Sequence, residues 1–204
     1  MNYLNIKIIP LIILGSYLIF TQKSYAQTSN FPFEVVLKAD SIPGFTGLHS
    51  FAYGQRDGKV LLIGGRPEGI HARQPFNAFP ASLNNQILQV LDLQTKQYWS
   101  RSLAELSVSL QEQLQSTNMN FYQDGNFLIL AGGYAYSATA NDHITFPFLT
   151  RIDLDGLIGA IMANTTIAPY FEQLQDERFA VTGGNMGKIG SQYYLVGGHR
   201  FDGR

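Results

Sequence analysis

The apolar positions of this chain fall into short runs that recur in a fixed order. A run ending in a glycine pair occurs three times: Val60-Leu61-Leu62-Ile63-Gly64-Gly65, Phe127-Leu128-Ile129-Leu130-Ala131-Gly132-Gly133 and Tyr193-Tyr194-Leu195-Val196-Gly197-Gly198. The first glycines stand 68 and 65 residues apart (64 to 132, then 132 to 197). Each run has strand length, and Asp57-Gly58 and Asp124-Gly125 ahead of the first two are strong hairpin signals, with Ile189-Gly190 weakly in the third place. Each unit is therefore expected to open with two antiparallel strands. Three copies of the pair with common flanks mark a repeat.

The second half of the unit recurs as well. Residues 87–93 and 149–154 read as third strands, with Val90-Leu91-Asp92-Leu93 matching Arg151-Ile152-Asp153-Leu154, and turn-prone Gln94-Thr95-Lys96 and Asp155-Gly156 follow them. Asp92 and Asp153 are expected to stabilise those turns. Residues 97–102 and 157–162 read as fourth strands. Glu112-Gln113-Leu114-Gln115 reappears as Glu172-Gln173-Leu174-Gln175, and Leu106, Leu110 and Leu114 stand at four-residue spacing, so a short amphipathic helix is expected to join one unit to the next. Pro169 suits the first turn of the second such helix.

Residues 1–26 have a different character. Lys7 precedes an uncharged stretch, 8–20, and Ser24-Tyr25-Ala26 offers small residues at the positions that signal processing requires, so a secretory signal cleaved before Gln27 is expected. The uncharged stretch, interrupted by Pro10 and Gly15, is short of the roughly 20 residues a bilayer demands, so no stable membrane insertion is expected after signal removal. The protein is accordingly expected to be exported, to the periplasm or beyond the cell. It contains no Cys, and its 14 Lys+Arg balance 15 Asp+Glu at a formal net charge of -1. That composition removes disulfide staples and thiolate metal sites and gives no basic excess for nucleic acid.

Four short strands per unit at an even period, with glycine and aromatic signals, is the pattern of propeller blades. These residues resemble the kelch-repeat family of β-propellers, the group that includes galactose oxidase. The resemblance rests on the apolar run before Gly64-Gly65, on Leu91-Asp92-Leu93 and on Tyr98-Trp99. It implies an all-β, kelch-type propeller, here partial, with about two and a half four-stranded blades at 46–102, 116–162 and 179–204 and short helices in the connections. The second blade departs from the family pattern, since 157–162 contain no Trp. Gly64, Gly65, Gly132, Gly133, Gly197 and Gly198 are expected to let backbones turn sharply where sheets crowd, and Trp99 to pack between sheets. The strand-like segment 33–37 lacks a hairpin partner, and the resemblance implies that it belongs to the closing blade. Ten or so strands do not close a ring, so a fragment of a longer protein is expected.

Antiparallel succession brings the second-to-third strand loops and the blade-to-blade connections to one face. The long ones, 66–82 and 134–146, and the residues after the third glycine pair carry Arg66, His71, Arg73, Tyr134, His143, His199 and Arg200, which form the expected recognition set. The resemblance implies a binding scaffold for a protein or carbohydrate ligand at this mouth. No cofactor and no metal is expected: a galactose-oxidase-like copper site needs a Cys, and His49, His71, His143 and His199 show no local ligand spacing. The family also includes exported sialic-acid mutarotases, which implies an alternative, a metal-independent carbohydrate-processing enzyme. There Arg66, Arg73 or Arg200 would hold a sugar carboxylate and a His or Glu68 would move the proton.

Overall fold

The computed structural model describes residues 34–69 and 78–203. Antiparallel strands dominate, and among the described residues they form separate sheets, none of them closed. The first sheet is a simple meander of β1 (Ala52–Arg56), β2 (Lys59–Ile63), β3 (Ile87–Asp92) and β4 (Tyr98–Ser102). Its first turn is Asp57-Gly58, with both residues at positive φ (48° and 76°), the conformation that twists a two-residue hairpin correctly. Asp92 closes the β3–β4 turn by accepting from the backbone N–H groups of Gln94 and Thr95. Trp99 packs, partly buried, against the core.

After β4, Ser107 caps α1 (Val108–Leu114), the expected connecting helix. The second sheet contains β5 (Asn120–Asp124), β6 (Phe127–Ala131), β9 (Phe148–Asp153) and β10 (Phe171–Gln175), side by side in the order β10-β9-β6-β5. Between β6 and β9 the chain forms a hairpin of its own, β7 (Tyr134–Ser137) with β8 (Asp142–Thr145), where the sequence suggested only loop. The third unit is the hairpin β11 (Thr182–Ile189) with β12 (Gln192–His199). Residues 201–203 lie along β8: Thr145 donates its N–H to the Phe201 carbonyl (2.9 Å), and Gly203 donates to the His143 carbonyl (2.6 Å).

Three assignments are corrected. Residues 157–162, expected as a fourth strand, lie in α2 (Leu154–Ala163). Asp153 is the N-cap rather than the turn residue, its carboxylate accepting the Gly156 N–H at 3.2 Å, and Asn164 ends the helix in the left-handed conformation. A short apolar run reads alike as strand or buried helix, and here packing decides: Leu154, Leu157 and Ile161 bury themselves among Ile63, Leu88 and Val90 of the first sheet and Leu128 and Ile152 of the second. Conversely, Glu172-Gln173-Leu174-Gln175, expected as a helix, is the outer strand β10. Pro169 belongs to a 3-10 turn, Ala168–Tyr170, and the chain leaves it extended to pair with β9.

The strand expected at 33–37 is not formed: residues 34–39 carry no regular structure and are exposed, and residues 1–33 lie outside the described residues. Among the described residues no helix is long and apolar enough to cross a membrane.

Candidate functional site

The contact between successive units repeats atom for atom. Gly65 donates its N–H to the Ser116 carbonyl (2.9 Å), and Gly133 donates to the Val181 carbonyl (3.4 Å). The Ser50 carbonyl accepts from Asn118 N–H and the Thr117 hydroxyl; the Asn118 carbonyl accepts from Gly183 N–H and the Thr182 hydroxyl. Ser50, Asn118 and Gly183 all have positive φ (57°, 55° and 72°). The first strands of the three units, β1, β5 and β11, consequently lie in succession, β5 against β1 and β11 against β5.

This repetition fixes the residue that follows each glycine pair. Arg66 pairs with His49, Tyr134 with Thr117 and His199 with Thr182, three equivalent antiparallel bridges. Tyr134 and His199 line one cavity of about 530 Å³ together with Phe79, Thr182, Phe201 and Asp202. Arg66 adjoins it through Phe79: its guanidinium carbon stands 5.1 Å from the Phe79 ring centroid. The Phe79 ring meets Tyr134 edge-on at 5.4 Å, Tyr134 meets Phe201 at 5.7 Å, and His199 meets Phe201 at 4.3 Å. A continuous path of side chains thus joins all three units.

The polar groups differ in how far they are engaged. The Tyr134 hydroxyl donates to the Gly203 carbonyl at 2.6 Å. His143 is buried, and its Nε2 lies 2.7 Å from the Phe79 carbonyl. A carbonyl only accepts, so Nε2 carries the hydrogen. His143 thereby fixes Phe79, whose φ of 52° is rare for a bulky residue. Arg66 is 2% exposed and its Nε pairs with Glu68, yet among the described residues its Nη2 and the Oε2 of Glu68 have no partner. That pair leaves one donor and one acceptor uncommitted.

Of the expected set, Arg66, Tyr134, His143 and His199 come together. Arg200 is not in the lining, but its guanidinium donates to Glu177 (2.7 Å) and to the lining residue Asp202 (2.9 Å), and Glu177 first, then Asp202, holds its pKa above the ordinary arginine value. His71 and Arg73 lie outside the described residues. Sequence reasoning missed Phe79, Phe201 and Thr182. Thr117 and Thr182, one residue ahead of the left-handed positions in successive units, offered a periodic signal; nothing in the local pattern marks Phe79. Among the described residues, no three or more His, Asp or Glu side chains converge as a metal site would require. A scan of family models finds none that matches this chain, and a search of curated proteins finds no match.

Proposed function

We propose that the three units are consecutive blades of a kelch-type β-propeller and that the protein is an exported binding scaffold for a protein or carbohydrate ligand. Separate sheets with their innermost strands in succession support the radial reading. The leader-like 1–26 segment and the absence of Cys support export without disulfides. The observation that carries the binding role is the convergence of Tyr134 and His199, from two successive units, on one aromatic-walled cavity that Arg66 of a third unit adjoins. Concave, largely apolar cavities with a few fixed polar groups are where ligands bind. Phe79 and Phe201 offer apolar contact to a sugar ring or a peptide side chain, and His199 offers an exposed hydrogen-bonding edge.

Saturation-transfer NMR against N-acetylneuraminic acid, galactose and N-acetylglucosamine tests the carbohydrate arm. Binding that disappears in His199→Ala supports the reading; equal transfer to both proteins removes the cavity from it. A second reading, the metal-independent mutarotase, rests on the uncommitted Arg66 Nη2 and Glu68 Oε2, a donor and a general base at one spot. It predicts accelerated anomer exchange of N-acetylneuraminic acid, lost in Arg66→Met; an unchanged exchange rate with wild-type protein dismisses it.

A further inference from the structure

Among the described residues, the Lys, Arg, Asp and Glu side chains that are buried are Arg66 and Glu112, 2% and 8% exposed. Arg66 has Glu68 beside it as counter-charge. Glu112 has no ion-pair partner among the described residues. The second copy of its tetrapeptide makes the contrast: Glu172 is exposed and takes Arg151 at 2.6 Å. A buried carboxylate without a counter-charge is costly, and proteins keep such groups where a cation completes them.

Two donors hold Glu112 in place. Its Oε1 accepts from the Ser137 hydroxyl (3.0 Å), at the end of β7, and from the Thr139 N–H (2.8 Å) just after it. Its Oε2 has no hydrogen-bond partner among the described residues. Glu112 lines a cavity of about 260 Å³ between α1, β7 and residues 81–86, together with Asn84 and Gln111. Both amides are anchored by their nitrogens, Asn84 donating to the Tyr136 carbonyl (3.3 Å) and Gln111 to the Leu106 carbonyl (2.7 Å). With the nitrogens committed to backbone, each amide keeps its oxygen, and the buried Asn84 Oδ1 has no partner. Ala81, Val108 and Ala138 add an apolar side to the lining. None of these residues lines the Tyr134/His199 cavity.

One negative charge beside uncommitted acceptor oxygens suits a group that brings only donors. A primary ammonium has three N–H donors, no acceptor and a positive charge, and its methylene stem can lie along apolar side chains. An anion would meet the Glu112 carboxylate instead. A metal ion would find a single carboxylate, for among the described residues no three His, Asp or Glu side chains gather. The volume is that of one side chain or a small amine, below the range of drug-sized pockets. We propose that the cavity between α1 and β7 binds a primary ammonium group, on a lysine side chain or a small free amine, with Glu112 as counter-charge and Asn84 and Gln111 as acceptors. The site is independent of the Tyr134/His199 cavity and of what binds there.

Proton–nitrogen correlation NMR of the side-chain amides tests this on the full chain. The probes are Nα-acetyl-lysine methylamide, which is cationic, and its Nε-acetylated counterpart, which is neutral. The Asn84 and Gln111 amides are expected to shift saturably with the cationic compound and to bind the neutral one at least about tenfold more weakly, since the charge-assisted bonds are lost. Glu112→Gln, which retains an acceptor for Ser137 and Thr139, is expected to weaken the cationic compound by at least about tenfold as well. Butylamine separates the two sources: affinity equal to or above that of the lysine compound assigns the site to a free amine, and lower affinity assigns it to a lysine on a polypeptide. No saturable shift up to about 20 mM of either amine overturns the proposal. So does equal binding of the neutral compound, an unchanged response in folded Glu112→Gln, or a shift produced by calcium chloride and by neither amine. Near-UV circular dichroism establishes folding of the variant, and the comparison of the two lysine compounds on wild type decides the question if the variant does not fold.

Discussion

Gly65 donates its backbone N–H to the carbonyl oxygen of Ser116, 2.9 Å away, across the boundary between the first and second units. The contact is this close only because Gly64, beside it, has no side chain: a Cβ there would overlap the same carbonyl. Gly132 stands in the same relation to Val181, whereas Gly197 faces open space with nearly the same backbone, φ of 71° against 68°. The pair forms a controlled comparison. Gly197→Ala carries only the left-handed cost of about 1–2 kcal/mol. Gly132→Ala adds the collision, and a total loss of about 3 kcal/mol or more is expected. Urea unfolding of both variants, followed at low protein concentration, checks the difference.

Gln113 is buried between the helix and the second sheet. Its amide donates to the carbonyls of Gly132 (3.3 Å) and Phe148 (2.9 Å), and its oxygen accepts from the Thr150 hydroxyl (2.6 Å) and the Gln173 amide (3.0 Å). Gln113→Ala strands these groups without water. A loss of about 2–4 kcal/mol is expected, as two or more buried polar groups lose their partners. Gln113→Glu adds a buried carboxylate facing two carbonyls and is expected to be worse; thermal unfolding ranks the two.

Lys188 and Tyr193 of the third hairpin both bond to Asp124 of the second unit, at 2.5 Å and 2.6 Å. The Lys188 hydrogen bond, with that of Tyr193, holds the Asp124 carboxyl below its ordinary value, and Asp124 in turn raises Lys188. A depressed carboxyl pKa means stabilisation that is complete above the unfolded value, about 4, and is lost as pH falls through the lower folded value. A raised lysine pKa means stabilisation complete below about 10.4 and lost as pH rises beyond it. The third hairpin is therefore expected to loosen at both extremes, below about pH 4 and above about pH 10, before the core does. Amide exchange at β11 and β12 compared with β2 and β6 across pH reads this directly; Lys188→Met weakens both limbs, and Lys188→Met with Tyr193→Phe removes them.

His199 is exposed and makes its aromatic contact with Phe201, whereas Tyr134 is buried and bonded to Gly203. Replacing His199 with Ala is expected to leave stability within about 0.5 kcal/mol of wild type and to abolish ligand transfer. Tyr134→Phe is expected to cost about 1 kcal/mol through the lost hydrogen bond to Gly203, while the bonds of Phe201 to Thr145 and of Gly203 to His143 keep residues 201–203 along β8. Calorimetry and ligand NMR on the same two variants separate a binding residue from a supporting one.

The hairpins were legible in the sequence because their signals are local. Asp57-Gly58 and the glycine pairs dictate backbone conformations that few residues adopt, and all three copies fold as the pattern implies. The second half of the second unit was less legible because its outcome depends on neighbours. Residues 157–162 are apolar throughout, without alternation, and the vacant flank of the first sheet makes them helical. The tetrapeptide shared by 112–115 and 172–175 takes two structures: Ser107 caps the first copy as helix, while the second leaves the Pro169 turn extended and joins β9. Tyr134 and His199, which line the cavity, and Arg66, which adjoins it, stand on the long connections that antiparallel succession brings to one face, which made them candidates in the sequence. Phe79 escaped because a backbone held at positive φ by His143, 64 residues away, has no signature in the residues around it.

Tyr134 and His199, each following a glycine pair, meet around one cavity that Arg66 adjoins through Phe79. Aromatic NOE spectroscopy on selectively labelled protein tests this most directly. Cross-peaks are expected between the rings of Phe79 and Tyr134, Tyr134 and Phe201, and Phe201 and His199, at centroid separations of 5.4, 5.7 and 4.3 Å. A folded protein in which Tyr134 shows no contact to either Phe79 or Phe201 would contradict it.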